Sequence, residues 1–228
     1  MTISIVLGSG TFSIVEWQFS QWVFGITAND GTMDIDRISR CTRINVVGTA
    51  GSGKSTFARQ LGEVLGLPYI EMDTLFWQPD WQETPDPELF PKIRDATSGD
   101  RWILDGNYTR STPEKWKRVE LVIWLDLLFL TTVSRVTKRC IQRSFSQREL
   151  WPGTGNRESW RKSFLSTDSV IWWSITSHRK NREHYSRCLS APEYSHISFL
   201  RLTTPRMVAE CLDEFRQAAN AERNSRAS

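Results

Sequence analysis

The chain holds 228 residues with a formal net charge of +3, enough for one domain with a sizeable core plus an extension. Apolar residues make up 39% and charged residues 24%, which excludes a wholly disordered or fibrous chain. The best apolar run, Leu121–Leu130, is interrupted by Asp126, so no stretch of about 20 apolar residues is present to span a membrane.

The opening MTISIVLGSG has neither the basic start nor the small-residue cleavage site of a secretion signal. Cys41, Cys140, Cys188 and Cys211 are scattered without CxxC pairing and read as free thiols, so a cytoplasmic protein is expected. Charge is unevenly spread. Arg135 to Arg187 carries 12 basic and 4 acidic residues, a local net of +8, while the rest of the chain is at −5. Such a segment points to an anionic partner: phosphates, nucleic acid or an acidic surface.

Residues 1–42 form an extension in which ISIVL and FSIVEWQF read as short strands and no site chemistry is visible. Met33 is a candidate start for a shorter chain. From Thr42 the pattern becomes α/β. RINVVG reads as a buried strand ending in Gly48, and Lys54–Leu65 carries Phe57, Ala58, Leu61, Val64 and Leu65 at helical spacing. LPYIEMD gives a second strand, Pro85–Ala96 a helix, RWILDGNY a third strand and VELVIWLD a fourth. A basic helix follows from about Leu128 to Arg143, then the loop WPGTGN, a mostly helical Ser159–Leu189, the strand HISFLRL and a helix over Thr204–Ala219. Alternating strands and helices predict a parallel sheet covered on both faces. The domain is placed at 43–219, with a lid at about 144–159 and a disordered tail at 220–228.

Gly48-Thr-Ala-Gly-Ser-Gly-Lys-Ser55 fits the GxxxxGK[ST] phosphate loop, between a strand and a helix as that loop requires. Gly48, Ala50, Gly51, Ser52, Gly53, Lys54, Ser55 and Thr56 are the expected nucleotide-binding residues. The backbone N–H groups and helix N-terminus cradle phosphate oxygens. Lys54 reaches the β- and γ-phosphates, and the Ser55 hydroxyl ligates Mg²⁺. ATP or GTP is the implied ligand.

Three carboxylates fall at strand ends, where ligands of open α/β sheets bind: Asp73, Asp105 and Asp126. Asp73 is assigned to the acceptor side, as the group that orients or deprotonates a hydroxyl. Asp126, preceded by the apolar VIWL, is the expected second metal-side residue beside Ser55. Asp105-Gly-Asn-Tyr108 is a tight turn with Asn107 and Tyr108 as candidate hydrogen-bonding groups. Phe76, Trp77 and Trp81 follow Asp73 and serve either to stack on a substrate ring or to fill the core.

Arg135, Arg139 and Arg143 recur every four residues, with Lys138 alongside. They form a helical stripe suited to charge developing on a transferring phosphoryl group. Ser144–Ser159, with Arg148, Arg157 and two glycines, has a lid's composition. Trp160, Phe164, Ile171, Ile175 and the Trp172–Trp173 pair read as helix packing; with Lys162, Arg179, Lys180, Arg182 and Arg187 they also allow nucleic-acid binding. His178, His184 and His196 lack metal-site spacing.

GTAGSGKSTFARQLGEVLGLPYIEMDTLFW, WILDGNY, VIWLDL with the arginine helix, and LWPGTGNRESWR together resemble the adenylate kinase-like P-loop kinases, in the branch called topology modulation proteins. The similarity runs from about Arg43 to Phe215. It implies a three-layer fold with a five-stranded parallel sheet in the order 2-3-1-4-5, a lid between strands four and five, and ATP with Mg²⁺. It also implies catalytic roles for Lys54, Asp73, Arg139 and Arg143, and a place near the nucleotide base for Thr203–Arg206. A long Gly-rich AMP-binding stretch and a lid zinc motif are absent from the sequence. The resulting expectation is an ATP-dependent phosphotransferase acting on a small-molecule or nucleotide acceptor. A nucleotide-binding regulator acting on DNA with little turnover is the alternative.

Overall fold

The computed structural model describes residue 38 and residues 40–146, 149–157 and 170–227. The strands expected in residues 3–19 lie outside them.

Five strands form one sheet: β1 (Arg43–Gly48), β2 (Tyr69–Glu71), β3 (Trp102–Asp105), β4 (Leu121–Leu125) and β5 (Ser198–Leu202). They are ordered β2-β3-β1-β4-β5, and every pairing is parallel. Among the described residues these α-helices accompany them: α1 (Lys54–Leu65), α2 (Met72–Phe76), α3 (Asp86–Ala96), α4 (Thr112–Lys115), α5 (Phe129–Ser146), α6 (Val170–Leu189) and α7 (Pro205–Ala227).

Alternation along β1 builds the two cores. Ile44 and Val46 face Phe57, Ala58 and Leu61 of α1 and Leu212 and Phe215 of α7. Val47 joins the opposite layer with Leu104, Val122, Leu89 and Ile93 of α3, and Tyr185 and Cys188 of α6. A strand buried on both faces must be apolar nearly throughout, as RINVVG is. Each fully buried Ile, Leu or Val contributes about 1.5–3 kcal/mol. The exception, Asn45, is fully buried, but its Nδ2 donates to Leu104 O at 2.8 Å and its Oδ1 accepts from Trp116 Nε1 at 2.8 Å.

The chain leaves β1 toward β2 and β3 on one side and toward β4 and β5 on the other. The carboxyl end of β1 is therefore the switch point at which such sheets open a binding crevice.

Two details differ from the sequence reading. Strand β2 stops at Glu71, and Asp73 is the second residue of α2 rather than a strand end. The segment 220–227, expected to be disordered, continues α7 to Ala227. No Gly or Pro follows Pro205 to break the helix, and its alanines and glutamates are good helix formers. Arg223 Nη2 also donates to Val64 O of α1 at 3.1 Å. The expected lid is part helix and part loop: α5 runs through 144–146, 149–157 is loop, and the remainder lies outside the described residues.

Candidate active site

The phosphate loop joins β1 to α1. Gly51 has φ +85, and a Cβ there would lie 2.2 Å from Thr132 O of α5, so only glycine fits between loop and helix. Gly53, at φ 91, precedes Lys54, and the first turn of α1 carries no acidic residue, leaving its positive end open to an anion. Lys54 and Ser55 are half-buried; Thr56 is exposed. The Ser52 hydroxyl is buried without a hydrogen-bond partner among the described residues. Ala50 O accepts from Ser174 Oγ of α6 at 3.0 Å, which ties the loop to a second helix.

The Asp105–Tyr108 turn supports the loop from the other side. Asn107 clamps the first glycine at two points: Gly48 N donates to its Oδ1 at 2.9 Å, and its Nδ2 donates to Gly48 O at 2.8 Å. Tyr185 OH donates to the same Oδ1 at 3.1 Å. Gly106, at φ +144, places its missing Cβ 2.6 Å from Met72 Cβ, so the turn and α2 meet at glycine distance.

Three carboxylates gather beside this turn. Asp105 pairs in register with Val46, two residues before Gly48. It is 3% exposed; Oδ2 accepts from Tyr69 OH at 2.9 Å, and Oδ1 has no partner among the described residues. Asp73 Oδ1 accepts from Tyr108 OH at 2.5 Å. Tyr108 holds φ 37, a left-handed backbone uncommon for an aromatic residue. Burial and the Asp73 charge push its hydroxyl pKa far up, so it remains a donor. Glu71 has its carboxyl pKa raised by burial and by the charges of Asp73 and Asp105, with Arg59 opposing. Taking up a cation would relieve this crowding of like charges.

Asp126 does not belong to this group. Its carboxylate, 4% exposed, accepts from Arg201 Nε at 2.9 Å and lies 3.2 Å from Arg182 Nε. Two guanidiniums already balance its charge, so it has little to offer Mg²⁺. The sequence pattern alone, an Asp after an apolar strand, does not show the partner that β5 brings alongside. Among the described residues it is Asp105, rather than Asp126, that carries a buried carboxylate oxygen without a hydrogen-bond partner. The signal available in sequence was its place at the end of β3, next to the loop strand.

The arginine stripe lies on α5 as spaced. Arg135 comes nearest the loop, since a Cβ on Gly53 would sit 3.8 Å from its Nη1. Arg139 and Arg143 are half-buried and follow one and two turns further along, about 6 and 12 Å away. The loop 149–157 packs on the loop after α2. Trp151 stacks on Trp77 with centroids 6.0 Å apart and meets Trp81 at 5.7 Å. Asn156 accepts from Trp81 N at 3.0 Å and donates to Gln78 O at 2.9 Å. The aromatics after Asp73 thus pack on one another. In the loop after β5, Thr204 Oγ1 caps α7 through Met207 N, and Arg206 pairs with Glu210.

Among the described residues, no group of three or more His, Cys, Asp or Glu could hold a metal ion, and no helix is long and apolar enough to cross a membrane. No family model matches the chain, and no curated protein matches it. Among solved structures it is similar to a gluconokinase from Sinorhizobium meliloti 1021, at 16% identity over 79% of this chain and 92% of that one, TM-score 0.43. It is also similar to a shikimate kinase from Acinetobacter baumannii in complex with shikimate, at 17% identity over 82% and 97%, TM-score 0.48. A shikimate kinase from Bacteroides thetaiotaomicron shares 13% identity over 78% and 98%, TM-score 0.44. The chain's own sheet order and phosphate loop define a P-loop NTPase fold.

Proposed function

We propose that the protein is an ATP-dependent phosphotransferase that moves the γ-phosphoryl group to a small-molecule or nucleotide acceptor. One observation carries this reading. A complete phosphate loop lies at the sheet's switch point, with the carboxylates of Asp105 and Asp73 gathered beside it. The loop N–H groups of Gly51–Thr56 and the Lys54 ammonium hold the donor phosphates. Ser55 and Asp105 would hold Mg²⁺, which when bound supplies charge neutralisation on those phosphates; the partnerless Asp105 Oδ1 fits that role.

Asp73 receives the acceptor hydroxyl's proton as the acceptor oxygen bonds to phosphorus and the bond to the departing diphosphate oxygen breaks. Tyr108 fixes the Asp73 carboxylate through the bond to Oδ1. Arg139 and Arg143, with Arg135 nearest the loop, supply positive charge to the transferring group. The 149–157 loop, packed on Trp77 and Trp81, keeps water from the acceptor side.

The test is ADP release from ATP and Mg²⁺ across a panel of nucleoside monophosphates, nucleosides, sugars and short DNA ends. Lys54→Ala serves as the control. Acceptor-dependent release that the variant abolishes is the expected result. Nucleotide binding without acceptor-dependent turnover would favour the regulator reading, for which salt-sensitive DNA binding by the basic 135–187 segment is the direct check.

A further inference from the structure

Lys115 is the one lysine sealed inside the described protein. It is 1% exposed, at the end of the four-residue α4, and no carboxylate accepts from it among the described residues. Its ammonium donates to two main-chain carbonyls of the active-site turn, Gly106 O at 3.3 Å and Asn107 O at shorter range. Both carbonyls belong to the turn whose Asn107 side chain clamps Gly48. The path from the buried charge to the phosphate loop is therefore two contacts long. Neighbouring groups hold the same turn: Asn45 Nδ2 lies 3.4 Å from Gly106 O, and Tyr185 OH bonds Asn107 Oδ1.

A buried charge without a counter-ion costs several kcal/mol, so hydrophobic packing alone would not place a lysine here. Main-chain carbonyls partly offset that cost, and an ammonium attracts them more strongly than an amine does. We propose that Lys115 is a positioning residue for nucleotide binding. Its charged form holds the Gly106–Asn107 carbonyls so that Asn107 keeps Gly48 in its phosphate-binding conformation. The inference rests on the nucleotide-binding part of the reading above and extends it to a residue outside the motif.

Burial lowers the Lys115 pKa to about 7, opposed by the Cys188 thiol. The titratable groups coupled to it are on α6: Cys188, and His184, whose pKa is lowered by burial and by Lys115 itself. If the charged form favours bound nucleotide, bound nucleotide must raise the Lys115 pKa in return. Affinity then falls as pH rises above about 7, by about tenfold for each unit by which nucleotide raises that pKa.

The experiment measures the Kd of a non-hydrolysable ATP analogue with Mg²⁺ from pH 6 to 9 in the wild type, Lys115→Arg, Lys115→Met and His184→Gln. Comparing variants cancels the nucleotide's own titration. The proposal requires a wild-type affinity that falls with pH beyond that common slope. It requires Lys115→Arg, which stays charged, to lose the extra fall while still binding. It also requires Lys115→Met to bind weakly at pH 6, and His184→Gln to behave like the wild type. A Lys115→Arg protein that keeps the wild-type slope overturns the proposal even if Lys115→Met does not fold. So does a slope that vanishes in His184→Gln. A wild type that binds no nucleotide at any pH removes the phosphate-loop reading itself, which separates the two failures.

Discussion

Lys54, Asp73 and Asp105 act on different atoms in the proposed reaction, so their substitutions should separate kinetically. Lys54→Ala is expected to lower turnover about 10²–10³-fold, the usual cost of losing one donor to transition-state charge. Asp73→Asn keeps the Tyr108 hydrogen bond but removes the proton acceptor, and should lower kcat about 10²–10⁴-fold with nucleotide Kd unchanged. Steady-state kinetics beside calorimetric nucleotide titration checks both. Asp126→Asn is predicted to leave the Mg²⁺ dependence of activity unchanged while weakening the fold by about 2 kcal/mol, since it removes the charge paired with Arg201 and Arg182. Asp105→Asn should do the reverse, raising the Mg²⁺ needed for half-maximal activity. If the Mg²⁺ requirement moves with Asp126 instead, the metal-side reassignment is wrong.

At the scale of elements, aromatic packing joins two loops, 149–157 and the one after α2, on what the proposed reaction makes the acceptor side. Trp151 of the 149–157 loop sits on Trp77 and Trp81, and Asn156 bonds both neighbouring backbones. An aromatic pair contributes about 0.5–1.5 kcal/mol beyond its buried area. Trp151→Ala should therefore release the loop while the sheet stays folded. The readout is faster proteolytic cleavage within 149–157 and a raised acceptor KM, with an unchanged melting transition for the remainder. Helix α5 links the same region to the phosphate loop, because Thr132 lies against Gly51. A Gly51→Ala protein has no room for the added methyl group and should lose nucleotide binding as loop and helix separate.

For the whole molecule, binding and protonation both enter stability. A ligand that binds only the folded state at 100 times its Kd stabilises by about 2.7 kcal/mol. ATP with Mg²⁺ should raise the Tm of the wild type and fail to raise that of Lys54→Ala. The pH dependence of the free protein carries a second signature. Lys115 has a folded pKa pushed down to about 7, below its unfolded value. Above the folded value the unfolded chain binds the extra proton, so this contribution to stability grows with pH, by up to about 1.4 kcal/mol per unit. Cys211 runs the other way: burial pushes its thiol up to about 12, so above its unfolded value it costs stability as pH rises. Urea unfolding of the wild type and Lys115→Met at pH 6, 7 and 8 isolates the lysine contribution. The difference between the two proteins should shift in the wild type's favour as pH rises.

The sheet order was legible only through the family resemblance; by itself the sequence determined the element sequence and the phosphate loop. Each of these is local or periodic: a buried parallel strand must read apolar throughout, an amphipathic helix repeats every three to four residues, and glycines mark the positive-φ positions where backbone meets phosphate. The surroundings of Asp105, Asp126, Arg135 and Lys115 were set only by the tertiary structure. Asp105 and Asp126 look equivalent in sequence, each ending an apolar run. They differ because β5 carries Arg201 alongside Asp126, whereas Asp105 stands beside the loop strand with an oxygen that has no partner among the described residues. Arg135 reaches the loop because α5 lies against Gly51. Nothing in the sequence singles out Lys115, and only the packing of α4 under the Gly106–Asn107 turn buries it. Charges act over distances in space that spacing along the chain does not encode, so the assignment of cations and carboxylates waits on the fold.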